Sequence, residues 1–595
     1  MLRKLRGWAA FGALALACAD PATNARGVVA RAGNNLALGG GPANAAPHKL
    51  GSGWRHALDD SSFEVAVPDG ADTLAWSCGG GAGSETTFTI ELREGEGPWR
   101  HFDESRLNAW KQWQDFERPI PPGTSRSLRF RAQANGASDP PLWGSIRFLG
   151  RLAAQRRPDV LMLSLDTLGA GHLGAYGGPP GVSPHIDDLL ASSVSFERAY
   201  AQYGNTLVSH SSLFSALHPV RHGVYGGASK RRLAESLVGV LAAAGYETLA
   251  FTDGGYVSAG FGFGRGFDHY DDGKPGPTQK WRSGAAFDAT LRRLSGRSRD
   301  EQVFLFVHTY EVHNPYLPLD EEAFAFADGL TPGDDRRLSS RQQASLLRKY
   351  QREGRQPPAR DLARLEALHR AEIRYLDSRL PPFLEAAIAQ LNDPIVVLLS
   401  DHGEQFGEWG RIRHGSSLHD RVIRVPLAFR VPGVEAHSIA TPVQLVDVMP
   451  TLLELLDLPI PDGLDGRSLA PWFRRGGEPA PRPAFAEQGS DNWGCDRSVS
   501  NCRVDRVAVV EERFKLVDSR DFEVRRQLYD LGADPLETTD VADAHPEVVA
   551  RLSALALEYR GRAPGSGNDA TATAPGPDEE TLERLRALGY EAGDP

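Results

Sequence analysis

Cysteine is scarce in this chain: four occur among 595 residues, at Cys18, Cys78, Cys495 and Cys502. No two of them form a CxxC pair, which excludes a zinc ribbon. Cys495 and Cys502 flank the short polar stretch 496–501, a spacing that permits a disulfide in an oxidising compartment, and Cys78 reads as buried. Long apolar runs are missing too: none reaches the roughly 20 residues that a membrane-spanning helix needs. There is no basic block, and 66 Lys and Arg are outnumbered by 77 Asp and Glu, for a formal net charge of −11. Nucleic-acid binding needs clustered positive charge to displace counterions, so it is not expected. No internal repeat is found.

What is present begins with a folded, soluble composition, 41% hydrophobic and 24% charged, at a length that calls for two or three units. Arg3, Lys4 and Arg6 precede an apolar run from Trp8 to Ala17, about ten residues and so within signal-peptide range. Ala15-Leu16-Ala17 offers a small-x-small cleavage pattern, and Cys18 follows as in a bacterial lipobox, with Ala15 and Leu16 in swapped order. Residues 1–18 are therefore expected to be a signal peptide. The protein is then exported to the periplasm or cell envelope, with a lipid anchor at Cys18, or secreted.

Residues 19–49, rich in Ala, Gly, Asn and Pro, read as a flexible linker. Short alternating runs over 50–150, such as Phe63–Val67 and Thr87–Leu92, predict an antiparallel β-sandwich accessory domain. Its Trp54, Trp76, Trp99, Trp110, Trp113 and Trp143 serve either the core and edges of the sandwich or a carbohydrate platform. From residue 157 apolar strands alternate with helical patterns. The expectation is an α/β fold, a mostly parallel sheet sandwiched by helices over 157–445, then a smaller C-terminal α+β part over 446–560. Strands are predicted at Val160–Leu165, Thr248–Thr252, Val303–Val307 and Ile395–Leu399, and helices at Ser209–Leu217, Leu233–Ala244, Ala359–Gln390 and Leu445–Leu456. Residues 561–595 read as a disordered tail with a short helix at Thr581–Leu588.

Chemistry in such a sheet gathers beyond the carboxyl ends of its strands. Three predicted strands end in polar groups: Asp166-Thr167, Asp401-His402-Gly403-Glu404, and His308 followed by Glu311 and His313. Carboxylates and imidazoles converging on one edge are what a divalent metal site needs. His308 is set aside as a strand-end residue. Thr206 stands before a helix, where backbone N–H groups favour an oxyanion; by position alone it reads as an N-cap.

Several ordered blocks then carry a resemblance. Arg157-Pro158-Asp159 through Gly174, Ser183-Pro184-His185-Ile186-Asp187, Thr206–Leu217, Ser400-Asp401-His402-Gly403-Glu404, Val425-Pro426-Leu427 and Asp465-Gly466-Arg467-Ser468-Leu469 resemble the sulfatase family of the alkaline phosphatase superfamily. The similarity spans roughly residues 157–560. It implies Asp166 and Asp401 as metal ligands, with His402 where many sulfatases carry Asn. The family's formylglycine precursor falls on Thr206, and threonine cannot supply an aldehyde, because oxidising a secondary alcohol yields a ketone. The set Asp166, Thr206, Asp401, His402 and His414 instead resembles superfamily members with a Thr nucleophile, phosphodiesterases and phosphoethanolamine transferases among them. Gly169 and Gly171 stand in a segment that often reads R-A-D-H in relatives.

The resemblance thus implies a metal-dependent hydrolase of sulfate or phosphate esters of a small molecule, glycan or lipid. Thr206 is the nucleophile of a double displacement. One divalent ion is held by Asp166, Thr206, Asp401 and His402, with Zn²⁺ or Mn²⁺ preferred over Ca²⁺ because Ca²⁺ rarely takes an imidazole. His210 and His414 stabilise the non-bridging oxygens and His313 protonates the departing alcohol. Two other functions share the same residues: transfer of a phospho-alcohol group onto an envelope glycan, and glycan binding by a decayed site.

Overall fold

The computed structural model describes residues 26–31, 47–49, 54–57, 62–67, 71–79, 86–107, 113–134, 142–151, 156–225, 236–273, 283–297, 299, 301–317, 343, 357–473, 480–489, 504–520 and 524–562. Cys18 with the expected signal peptide, Trp110, the Cys495–Cys502 pair and the tail beyond 562 lie outside them.

An eight-stranded sheet forms the centre. Its order is His269–Asp271, Glu247–Thr252, Val303–Thr309, Val160–Leu165, Ile395–Leu399, Leu427–Arg430, Val194–Phe196, His437–Ile439. The first five strands run parallel, and Leu427–Arg430 is antiparallel to both of its neighbours. Strands covered on both faces read as unbroken apolar runs, which is why they were legible. Alternation then divides each run between two cores. Val160, Met162, Phe304, Phe306, Val397 and Leu399 join one cluster, with Leu213 and Phe214 of the Thr206–Ser215 helix and Leu452 of Val448–Leu455. Leu161, Leu163, Leu305, Val307 and Leu398 join the other, with Ile186, Phe287 and the Ala359–Ile388 helix. Each such side chain, fully buried, contributes about 1.5–3 kcal/mol.

The predicted sandwich is present. Phe63–Ala66, Arg126–Ala134, Thr86–Glu94 and Arg100–Leu107 make one antiparallel sheet, and Ala71–Gly79 and Leu142–Arg151 are central to the other. Trp76, Cys78, Phe88, Phe130 and Phe148 fill the space between them. Trp99 instead lies half-buried between the guanidinium groups of Arg93 and Arg129, 4.5 and 3.9 Å from its ring. The expected linker needs correction, because Arg26–Arg31 pairs antiparallel with Leu142–Arg151 and Pro47–Lys49 pairs with Trp54–Ala57. Ala- and Gly-rich flanks mask the short run Val28-Val29-Ala30, which pairs with Leu142–Arg151 on either side of an irregularity at Val29.

The C-terminal part is a four-stranded antiparallel sheet, Ala484–Gly489, Val504–Glu511, Phe514–Ser519 and Arg525–Asp530. One face packs on the Pro546–Gly561 helix through Leu516, Leu528, Leu552 and Tyr559. The other packs on Tyr200, Leu418, Val422 and Ile423 of the central unit.

Candidate active site and metal centre

Asp166 follows the Val160–Leu165 strand, and Asp401 and His402 follow Ile395–Leu399, its parallel neighbour. All three are buried, and one ligand atom from each lies within 4.8 Å of the others. Thr206 is the first residue of its helix but does not cap it. Asn205 does so, accepting the Val208 N–H at 3.0 Å, which leaves the Thr206 hydroxyl for the site. Thr206 Oγ1 donates to Asp166 Oδ2 at 3.0 Å and lies 3.4 Å from His402 Nε2. Residues 40 and 196 positions away in the chain thus meet one hydroxyl.

The donor set fits a divalent cation. Asp166 Oδ1 and Asp401 Oδ2 are buried and accept no hydrogen bond, an arrangement that is costly unless a charge completes it. Burial, and next the neighbouring Asp401, push the Asp166 carboxyl well above its ordinary value. Burial opposes ionisation of Asp401 as well, but His402 and His210 outweigh it and hold that carboxyl low. Mutual repulsion of this kind is what a cation relieves. Asp401 Oδ1 is occupied by the N–H groups of His402 and Thr167, at 2.9 and 3.3 Å. Thr167 makes its contact from a positive φ of 58°, an uncommon conformation for a β-branched residue.

The imidazoles divide into two groups. His313 and His414 approach the site, their ring centroids 5.2 Å apart, and the His414 ring is 4.5 Å from that of His402. Burial, and then the neighbouring imidazole, hold both rings well below the usual histidine range. His210 is different and corrects the expected role. Its Nδ1 lies 2.9 Å from Thr206 O and its Nε2 3.0 Å from Ser164 Oγ. Both nitrogens are taken within the protein, so His210 buttresses the Thr206 helix rather than meeting an ester oxygen.

Three site residues escaped the sequence. His308 Nε2 lies 3.3 Å from Asp166 Oδ2 and helps orient that carboxylate. Its signal was strand register: His308 pairs with Ser164, two residues before Asp166 and on the same face. Glu404 and Tyr316 were also missed; the Tyr316 hydroxyl donates to Glu404 Oε2 at 3.0 Å, and Glu404 Oε1 lies 3.2 Å from His414 Nδ1. Gly169 proves to be a packing position, because a Cβ there would stand 2.9 Å from Arg421 O and 3.3 Å from Gly403 Cα. A Cβ on Gly171 would make only ordinary contact, 3.4 Å from the Arg421 guanidinium.

Fold and site together define an alkaline-phosphatase-like α/β hydrolase. A family model described as Sulfatase matches residues 158–458, and one described as N-sulphoglucosamine sulphohydrolase, C-terminal, matches 407–559. The chain belongs to the sulfatase family, a metal-dependent group of hydrolases. It is 25% identical over 366 residues to the uncharacterized sulfatase YidJ of Escherichia coli (strain K12), covering 53% of this chain and 71% of that protein. Arylsulfatase K of Danio rerio is 33% identical over 171 residues, 28% of this chain and 31% of its own length. The chain thus spans only about a third of that relative. Among solved structures, the phosphonate monoester hydrolase of Agrobacterium radiobacter superposes with a TM-score of 0.55 at 20% identity, covering 69% of this chain and 96% of that one. A protein solved with D-glucosamine-2-N, 6-O-disulfate gives 0.54 at 16% identity, covering 70% and 100%. At these identities the structural likeness speaks to the fold.

Proposed function

We propose that this chain hydrolyses sulfate or phosphate esters, phosphonate monoesters among them, by double displacement on Thr206. One observation carries the proposal: the Thr206 hydroxyl, released from capping by Asn205, donates to Asp166 beside two buried carboxylate oxygens that accept no hydrogen bond. Asp166, Asp401, His402 and Thr206 are the residues that would hold the metal ion, and their oxygen and imidazole atoms suit Zn²⁺ or Mn²⁺. When bound, a divalent ion supplies Lewis acidity that draws charge from the ester oxygens and lowers the pKa of a nearby hydroxyl.

The protein's own groups supply the remainder. Thr206 Oγ1 attacks sulfur or phosphorus while its proton passes to Asp166 Oδ2, the atom that already accepts its hydrogen bond. The bond from sulfur or phosphorus to the alcohol oxygen breaks. His313 is tied through Nδ1 to Asn314 O at 2.6 Å. With the anionic ester beside it the ring takes up a proton at Nε2, gives that proton to the departing alcohol and takes one from the water that follows. His414 holds a non-bridging oxygen. That water then attacks the ester on Thr206 and releases the oxyanion, and the proton held on Asp166 Oδ2 returns to restore the hydroxyl. The positive N-terminus, the apolar run ending at Ala17 and Cys18 support export, with a lipid anchor or secretion, as the setting.

The test is a panel of aryl sulfate, aryl phosphate, bis-aryl phosphate and aryl phosphonate with Zn²⁺, Mn²⁺ or Ca²⁺. Thr206→Ala should abolish turnover of whichever ester is cleaved while folding and bound metal are kept. Undiminished activity in that variant defeats the proposal.

A further inference from the structure

Four serines lie in the Thr206–Ser215 helix, all of them buried, and their hydroxyls are used differently. Ser211 and Ser215 turn back to the carbonyls four residues earlier, Leu207 O at 2.7 Å and Ser211 O at 2.6 Å, a common resort of serine inside a helix. Ser212 meets Nε2 of His222 at 3.0 Å. Ser209 reaches out of the helix: its hydroxyl donates at 2.7 Å to the backbone carbonyl of Asp401. Three residues separate it from Thr206, so the two share one face of the helix. That face meets Asp166 and His402 through Thr206 and the loop of Asp401 through Ser209. The same loop is tied from its own side, where Ser400 Oγ donates to His402 O at 2.8 Å and accepts the Leu168 N–H at 3.1 Å. His210, the next residue, fastens the helix to the other ligand-bearing strand through Ser164, at 3.0 Å. Adjacent side chains thus fix one turn of helix to the strand that leads to Asp166 and to the loop that carries Asp401.

We propose that Ser209 is a positioning residue for Thr206. Its bond to Asp401 O sets how the helix sits on the loop of Asp401 and His402, and so keeps the Thr206 hydroxyl 3.0 Å from Asp166 Oδ2 and 3.4 Å from His402 Nε2. Without that bond the tie at Ser164 remains, and the helix pivots about it away from Asp401. A displacement of about 1 Å at a nucleophile costs on the order of 100-fold in rate. This role rests on Thr206 being the nucleophile.

The test uses the full metal-loaded chain and the aryl ester of the panel that it cleaves fastest. Ser209→Ala should lower kcat by about 10- to 100-fold, with KM and metal content unchanged. Alanine suits a helix, and Leu213 and Phe214 still anchor this one in the core, so the variant folds. Ser209→Cys fills the same space with a much weaker donor and should lose nearly as much. Wild-type kcat in that variant would assign Ser209 to packing and overturn the proposal. Two readouts need no turnover. With Co²⁺ bound, Ser209→Ala should shift the visible absorption in the same direction as Thr206→Ala, since both remove the Thr206 hydroxyl from its place. A spectrum like that of wild type overturns the proposal. A crystal structure of Ser209→Ala should show Thr206 Oγ1 displaced from Asp166 Oδ2, and an unchanged separation overturns it too. Should wild type cleave no panel ester, or Thr206→Ala stay active, the hydrolase reading fails, and the Co²⁺ spectrum and this separation still judge whether Ser209 sets the place of Thr206.

Discussion

At the carboxyl end of the parallel strands, Lys515 of the C-terminal unit reaches Asp420 at 2.7 Å and also pairs with Glu537, whose Oε2 accepts the Asp420 N–H at 2.7 Å. Gln488 Nε2 donates to Gly415 O at 2.9 Å, next to His414. At the opposite end, Arg147 of the sandwich meets Glu247, the first residue of its strand, at 2.7 Å. Arg293 and Arg297 converge on the same buried carboxylate, at 2.5 and 3.3 Å. The two appended units are thus joined to the central sheet by similar buried ion clusters, yet one grips the segment that carries the chemistry and the other grips the strand starts. The difference lies in position, not in bond type. A unit locked to the carboxyl edge holds the loops beside the candidate site, and one locked to the amino edge lies at the far end of the strands.

The comparison breaks first if the chemistry is not at the carboxyl edge. Chelation should abolish turnover and added Zn²⁺ or Mn²⁺ restore it, and Asp401→Asn should lose both activity and bound metal, read by elemental analysis. An active, metal-free protein would remove the ground for ranking the two ends. The C-terminal grip comes next. Lys515→Met leaves Asp420 and Glu537 facing each other without their cation, an uncompensated buried charge that costs about 3–5 kcal/mol. Denaturant unfolding should show that loss, and turnover should fall with it.

A smaller effect separates the ends by pH. Burial, and then the charge of Glu247, raise the Glu301 carboxyl to about 7 against the attraction of Arg147 and Arg297 and with a further push from Glu117. The folded protein therefore binds this proton more tightly than the unfolded chain does. Stability from this group falls as pH rises from the ordinary glutamate value towards 7. Glu247 has the opposite sign. Burial would raise it, but Arg293, Arg147 and Arg297 hold it low, so its contribution is lost as pH falls through the acid range. Thermal unfolding across pH 4–8 should lose this slope between the ordinary glutamate value and about 7 in Glu301→Gln. An identical profile in that variant would show that the sandwich contact does not titrate there. Smallest of all, Arg147→Ala should loosen the sandwich by about 1 kcal/mol, because Glu247 keeps two arginines, and leave kcat/KM on small aryl esters unchanged. A large loss of activity would show that the sandwich contact reaches the site.

Much of the fold was legible because strands buried on both faces are unbroken apolar runs. Val160–Leu165 and Ile395–Leu399 appear with the predicted bounds, and the polar residues after them form the site. The Arg26–Arg31 strand was not legible. A short strand, paired with Leu142–Arg151 and set in an Ala- and Gly-rich stretch, leaves little trace in composition. His308 was visible in principle through its register with Ser164 but looked like any strand-end residue. The exclusion of His210 could not be read at all, since it depends on Ser164 accepting or donating at the far ring nitrogen.

Local patterning in the chain determined by itself the class of fold, the strand ends that carry Asp166 and Asp401, and the incompatibility of Thr206 with an aldehyde nucleophile. Only the tertiary structure decided which hydroxyl is free, which imidazole nitrogens are already engaged, and which appended unit touches the catalytic edge. The physical reason is range. Apolar periodicity and side-chain chemistry are properties of a few adjacent residues, whereas a hydrogen bond between Thr206 and Asp166, or between Tyr316 and Glu404, exists only once the sheet has brought distant segments within 3 Å of each other.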